Sequence, residues 1–231
     1  MKKAWLNWSS GKDSALAYYY IQKENLLKVE KLFTTVDAAS KRISMHNIKK
    51  ELLLAQADSI GIGLQIADIS TESSLEEYNQ KMDEQIGRFK NEGLTHSIFG
   101  DIFLEDLKEY RESQLQKENI KAVFPLWKKD TAELIHEFIS LGFKAICVCT
   151  NSKYLDDIFC GRIIDQKFIS ELPENVDPCG ENGEFHSFVF DGPIFTKPVS
   201  FRIGERQRQS FPSKVKKWDA EFCYLDLLPE S

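Results

Sequence analysis

Hydrophobic positions along the first two-thirds of the chain switch repeatedly between two periods. Short apolar runs predict strands at Trp5–Trp8, Val29–Val36, Leu64–Ile69, His96–Phe99, Ala122–Phe124 and Phe143–Val148. Between them, apolar residues recur three and four apart, predicting helices at Ser14–Glu24, Ile48–Ile60, Leu75–Lys90 and Leu104–Glu118. Ser73-Ser74-Leu75-Glu76 offers a capping box for the third of these, and Asp130 with Glu133 opens a further helix that ends before Gly142. Parallel strands need crossovers of this length, so the alternation predicts a doubly wound α/β domain with a parallel sheet.

The texture changes after Asn151. Tyr154–Ile169 reads as a helix, and from Asp177 onward Gly, Pro and aromatic β-formers predominate, with strands expected at Phe185–Phe190, Val199–Ile203 and Phe222–Leu227. We therefore expect residues 1–150 to form the α/β domain and residues 151–231 a helix plus a small β-rich appendage, packed against the carboxyl edge of the sheet.

Composition narrows the function class. The 231 residues are 42% hydrophobic, enough to bury a full core, and the formal net charge of −6 argues against a protein held to nucleic acid by phosphate neutralisation. Arg202, Arg206, Arg208, Lys214, Lys216 and Lys217 form a local basic stretch, for which a solvated strand face is the plainer account. No apolar run has the length of a membrane span, and the apolar part of Met1–Leu6 is too short for a signal peptide. Five cysteines (Cys147, Cys149, Cys160, Cys179 and Cys223) at irregular spacings point to free thiols in a reducing cytoplasm, not a disulfide framework or a zinc site.

The chemistry concentrates in Trp8-Ser9-Ser10-Gly11-Lys12-Asp13-Ser14, between the first strand and the first helix. A strand–loop–helix entry converges backbone N–H groups and the positive end of the helix on one point, which suits an anion. Gly11 permits close backbone approach, the three serines add hydroxyls, and Lys12 adds a compact cation. Asp13 beside a phosphate site would repel it unless Mg2+ lies between them or the acid caps the helix. The common nucleotide P-loop needs Gly, four residues, then Gly-Lys-Ser/Thr, and this loop lacks that spacing. By residue types alone, a capped serine-rich turn remains open.

Ser9–Ser14 resembles the PP-loop, Ser-Gly-Gly-x-Asp-Ser, of the adenine nucleotide α-hydrolase superfamily, which includes GMP, NAD and argininosuccinate synthetases; Ser10 stands where that motif has its first glycine. Ser44-Met45-His46-Asn47, Phe99–Glu105 and Asp177–His186 extend the likeness to one branch, the diphthine–ammonia ligase-like ATP pyrophosphatases, over nearly the whole chain.

The resemblance implies a Rossmann-like fold with ATP across the carboxyl ends of the strands, its β and γ phosphates cradled by Ser9, Ser10, Gly11, Lys12, Asp13 and Ser14. It implies nucleotide contacts from Thr34, Thr35, His46 and Gly100, and Mg2+ on Asp13 and Asp101. Lys12, Asp13, Asp101 and Glu184 become the catalytic candidates. Glu105, Glu181, Gly183, Glu184 and His186 become the substrate-binding candidates, with Arg111 also able to face the site. Each has a plainer alternative: ordinary strand ends for Thr34 and Thr35, caps for His46 and Asp101, surface pairing for Glu105, and a solvated Gly-rich hairpin for Glu181–His186. Two carboxylates and an imidazole on such a turn suit binding ammonium or accepting its proton. Cys179 is expected to be structural.

The reaction implied is adenylation of a carboxylate acceptor with release of pyrophosphate, then displacement of AMP by ammonia. The acceptor is protein-bound diphthine or a small metabolite. No glutaminase domain is apparent, so free ammonia or a partner protein would supply nitrogen, and a homodimer is left open. Two rivals remain: tRNA thiolation, which would want catalytic cysteines and a basic surface, and nucleotide sensing without turnover.

Overall fold

A computed structural model describes all residues except 44, 45, 71, 212–219 and 231. Ser44 and Met45 of the His46 motif, and Lys214, Lys216 and Lys217 of the basic stretch, thus lie outside the described residues.

Five parallel strands form the first sheet: β1 (Lys3–Asn7), β2 (Lys28–Asp37), β3 (Leu64–Ile69), β4 (His96–Ile98) and β5 (Lys121–Val123), in the order β3-β2-β1-β4-β5. The crossovers are α1 (Lys12–Lys23), α2 (Lys50–Ile60), α3 (Leu75–Asn91) and α4 (Glu105–Lys117), with α5 (Thr131–Ser140) following β5. The predicted α/β fold class is observed. Helix boundaries shift by a residue or two. The α3 capping box is Ser74 with Glu77, one residue later than predicted, while Asp130 caps α5 through the Glu133 amide as expected.

Period-two alternation sorts β1 between two layers. Ala4, Leu6 and Trp8 pack with Ala15, Leu16 and Ile21 of α1, whereas Trp5 packs on the other face with Phe89 of α3 and Leu115 of α4. The chain therefore leaves neighbouring strands β1 and β4 toward opposite faces. That switch point opens a crevice at the carboxyl ends of the strands, where open α/β sheets bind ligands.

The second sheet is antiparallel, in the order β7-β6-β9-β8, built from β6 (Lys144–Asn151), β7 (Phe185–Asp191), β8 (Phe201–Phe211) and β9 (Ala220–Pro229). Two expectations are corrected here. Phe143–Val148 does not close the parallel series; it becomes β6, central in the second sheet. An apolar run buried on both faces has the same pattern in either sheet. The single helix expected at Tyr154–Ile169 is also absent. Its place is taken by a 3-10 turn at Asp157–Phe159, Gly161 with φ +90°, a bridge from Ile163 to Ile146, and the short helix α6 (Gln166–Ser170). Asp156 and Asp165 each cap a separate start, which divides the segment.

Cys147, Cys149, Cys160 and Cys223 are buried free thiols in and around this sheet, as their irregular spacing suggested. Burial raises all four pKa values, that of Cys149 to about 12. On β8, Arg208 pairs with Asp157 at 2.6 Å and lies 4.0 Å from Glu221. Among the described residues no helix is long and apolar enough to cross a membrane.

Candidate active site

Strand β7 of the second sheet lies against the loop between β1 and α1, and the contact explains several sequence choices. Val189 N–H donates to the Ser10 carbonyl at 2.9 Å, and the Lys12 amide donates to Ser187 Oγ at 3.1 Å. Buried Gln56 of α2 ties the joint together. Its Nε2 donates to the carbonyls of Ser10 (3.1 Å) and Val189 (2.6 Å), while its Oε1 accepts from Trp8 Nε1 at 2.8 Å. Gly11 is required by this packing, because a Cβ there would lie 2.8 Å from His46 Cε1 and 3.2 Å from the Ser187 carbonyl.

Ser10 takes the left-handed conformation, φ +72°, fully buried, with an Oγ that has no hydrogen-bond partner. This is where the resembling motif carries glycine, and the backbone shows why. Ser10→Gly is expected to stabilise the protein by about 1 kcal/mol through relief of strain and of the orphaned hydroxyl. Thermal melts should show a Tm gain of roughly 2–4 °C. An unchanged or lower Tm would argue that the site carries no strain.

Helix α1 begins earlier than the sequence suggested, so Lys12 and Asp13 occupy its first turn, where amides have no carbonyl one turn back. Lys12 Nζ lies 2.7 and 2.8 Å from the two Asp13 carboxylate oxygens and is almost fully buried. Burial opposes the ammonium charge, but Asp13 foremost, with Glu181, outweighs it, and the Lys12 pKa is held above its ordinary value. Ser9 Oγ, Ser14 Oγ and the Gly11 backbone are hydrogen-bonded among themselves.

A cavity of about 790 Å3 opens in front of this turn, within the range of ligand sites. Ser9, Lys12, Asp13 and Ser14 line it, as do Thr34, Thr35 and His46 on the β2 side, Gly100, Asp101 and Arg111 on the β4 side, and Glu181, Gly183 and His186 from the segment before β7. Asp101 caps no helix; it pairs with Arg111, whose guanidinium lies 4.5 Å from the Phe99 ring centroid. Burial raises the Asp101 pKa, against the attraction of Arg111. Asn7, unremarked in the sequence, locks the strand ends by donating to Ser97 Oγ (2.9 Å) and the Ile98 carbonyl (2.8 Å).

His46 and His186 lie side by side, ring centroids 4.8 Å apart and planes tilted by 38°. His46 Nδ1 lies 3.0 Å from the Ser187 carbonyl, and His186 Nε2 is buried without a partner. Burial lowers the His46 pKa to about 4 and that of His186 well below the usual imidazole value, helped there by His46 and Lys12. Both rings are therefore neutral near pH 7.

Four of the predicted residues lie outside the cavity lining: Ser10 and Gly11, which pack against β7, and Glu184 and Glu105. Glu184 is buried with its carboxylate turned away from the cavity, accepting from the amides of Asp177 (3.0 Å) and Asn182 (2.9 Å) and from Asn182 Nδ2 (3.0 Å). A carboxylate so engaged holds the turn and is not placed to touch substrate. Glu105 is exposed on the first turn of α4, 3.6 Å from Lys128 and outside the cavity lining. Cys179 does line the cavity, yet burial raises its pKa and its Sγ donates to the Thr131 carbonyl at 3.3 Å.

Burial first, then Asp13, raises the Glu181 pKa from 4.5 to about 8. The folded state thus holds this proton more tightly than the unfolded chain does. Glu181 therefore costs no stability below pH 4.5, and its cost grows as pH rises from there toward about 8. Glu181→Gln is expected to match the parent in acid and to exceed its stability at pH 8. Melts across that range check this, and a difference that does not vary with pH would contradict it.

Fold and loop together define an open parallel α/β protein of the PP-loop kind. The diphthamide synthase N-terminal domain model matches residues 1–122, and the C-terminal domain model matches residues 130–228. The chain belongs to the diphthamide synthase family. It is similar to the diphthine–ammonia ligases of Bos taurus (31% identical) and Homo sapiens (30%), in each case over 102 residues, 42% of this chain and 38% of the relative. The diphthine–ammonia ligase of Schizosaccharomyces pombe is 26% identical over 118 residues, 49% of this chain and 18% of that protein. The matched stretch thus spans well under half of these relatives. Among solved structures, a U34-tRNA thiolase from Methanococcus maripaludis is similar over 61% of this chain and 58% of that one, with a TM-score of 0.40 and 14% identity, a likeness too slight to carry an argument.

Proposed function

We propose that the protein is an ATP-dependent amide-forming ligase of the cytoplasm, which adenylates a carboxylate, releases pyrophosphate and amidates the product with ammonia. The family and the names of the relatives support the class of reaction. The observation that carries the reading is the convergence of the Lys12–Asp13 pair, the Asp101–Arg111 pair and Glu181 on one cavity at the switch point.

An acceptor carboxylate oxygen attacks the α-phosphorus of ATP, and the bond to the bridging oxygen of the β-phosphate breaks. Lys12, charged at any working pH, and the first-turn amides of α1 would stabilise the negative charge gathering on pyrophosphate. Ser9, Ser10, Gly11 and Ser14 shape the phosphate cradle, and Thr34, Thr35 and His46 would meet the nucleoside. The missing Cβ of Gly100 lets the Asp13–Ser14 peptide approach. Arg111 would set the acceptor in line. Ammonia then adds to the acyl carbon, AMP leaves with the electrons of the acyl C–O bond, and Glu181, in its ionised form, would accept a proton from the nitrogen. Gly183 and His186 complete that wall, and Glu184 acts through the turn it holds.

The residues fit Mg2+ in the manner usual for nucleotide sites, with one or two carboxylates plus phosphates. Asp13 and Asp101 would hold it, and among the described residues no group of three or more His, Cys, Asp and Glu could form an all-protein cage. Bound there, the ion would supply charge neutralisation at the phosphates. Thiolation finds less support, because the one cavity-lining cysteine is held as a thiol.

Product analysis tests the reading. ATP, ammonium and either a diphthine-bearing protein or a panel of small acids should yield AMP and pyrophosphate only when an acceptor is present. ADP and phosphate as acceptor-dependent products would overturn it. ATP binding without turnover under every condition would favour nucleotide sensing.

A further inference from the structure

Helices α3 and α4 bury Ile86, Phe89 and Leu115 against Trp5 and Phe33 of the sheet, and from that core their apolar stripes run on to line a crevice. Leu104 at the α4 N-cap, then Leu107, Arg111 and Leu115, recur three and four apart, the spacing of a helix's inward side. Yet Leu115 is the only buried residue of α4, and Leu104 is 41% exposed. On α3, Tyr78, Met82 and Ile86 line the same cavity, which runs on without a break from the loop at the head of α1.

Three polar features mark this crevice as built for an occupant. Gln85 of α3 lies in its lining, 8% exposed, and its Oε1 has no hydrogen-bond partner. A buried amide oxygen is costly without a donor, so the position calls for one from outside the chain. At the inner end, Arg111 stands over the Phe99 ring beside Asp101. At the outer end, Tyr110 Oη donates to Asn79 Oδ1 at 2.5 Å, tying the helices together. The crevice and the wall formed by Thr34, Thr35 and His46 belong to one cavity of about 790 Å3 in front of the loop, large enough for a second ligand beside a nucleotide.

We propose that the α3–α4 crevice is the acceptor site, taking an acid whose carboxylate is set by Arg111 and whose apolar or aromatic body, carrying an N–H donor, extends between the helices to Gln85. This rests on the ligase reading above. Aromatic and thioether walls suit a flat ring, and the unpaired Gln85 oxygen selects for a ring or chain that donates a hydrogen bond.

Two substitutions and one spectroscopic probe test it. Imidazole-4-propionate supplies a carboxylate, a ring and an N–H, and Met82 carries a methyl group observable by NMR. In full-length protein the Met82 methyl signal should shift when this acid is added over a saturating non-hydrolysable ATP analogue, and not with the analogue alone. Leu107→Trp, which fills the crevice, should abolish that shift and lower acceptor-dependent pyrophosphate release about tenfold or more, with nucleotide affinity unchanged. Gln85→Leu should raise the acceptor KM about tenfold at nearly constant kcat, without loss of Tm. A shift caused by the nucleotide alone, weakened nucleotide binding in Leu107→Trp, or an unchanged acceptor KM in Gln85→Leu would each overturn the proposal. If the acid shifts Met82 but the protein releases no pyrophosphate with any acceptor, the crevice stands as an acid-binding site and the ligase reading falls.

Discussion

Gly100→Ala is expected to lower Tm and weaken nucleotide binding together. A Cβ at position 100 would sit 2.8 Å from the Asp13 carbonyl carbon, 2.9 Å from its oxygen and 2.9 Å from the Ser14 amide nitrogen. All three are backbone atoms, so no side-chain rotation relieves the clash. Either the end of β4 moves away from β1, breaking the Asn7 contacts to Ser97 and Ile98, or the first turn of α1 moves. Overpacking of this kind costs about 1–3 kcal/mol. For a chain of this size that is a Tm loss of roughly 2–12 °C. Moving the first-turn amides by an ångström should weaken ATP binding about a hundredfold or more. Calorimetric titration and a thermal melt check both effects, and Gly63→Ala is the control, since a Cβ there meets nothing within 4 Å. Parental affinity in Gly100→Ala would remove the argument that this glycine sets the loop.

Lys12→Met should have the larger effect on turnover. The ammonium is buried between Asp13 and the turn that carries Glu181, and its removal leaves those acids without their nearest cation. Asp13 keeps 30% of its side-chain exposure, so the stability cost should fall below that of a fully buried pair, at up to about 3 kcal/mol. Loss of charge stabilisation on pyrophosphate should lower kcat by about a hundredfold or more. The double variant Lys12→Met/Asp13→Asn separates these effects: stability should return while nucleotide binding does not. Recovery of both would reduce Lys12 to a structural counter-ion of Asp13.

The loop illustrates how far local sequence reaches. Strand, serine-rich turn and helix were legible as a strand–loop–helix entry because the turn is short and its signals are local. The reason for glycine at 11 and 100 was not local. Gly11 yields to His46 and Ser187, and Gly100 to the Asp13–Ser14 peptide, in both cases chain segments remote in sequence. The sequence put Glu181 and Glu184 on one turn and favoured Glu184 for catalysis. Three residues of separation and the amides of Asp177 and Asn182 send one carboxylate into the cavity and the other into the turn itself. Gln56, central to the joint between loop and second sheet, sat in an ordinary helical pattern with nothing to mark it.

By itself the sequence determined the alternation of strands and helices, hence the parallel sheet, together with the loop at the head of α1 and the thiol character of the cysteines. Those properties follow from periodicity, caps and residue chemistry within a few positions. Only the tertiary structure decided that β6 joins the antiparallel sheet, that Glu105 faces solvent, and that α3 and α4 stand apart over a crevice. Hydrophobic periodicity reports that a face is covered. It does not report what covers it, whether another strand, another helix or a ligand.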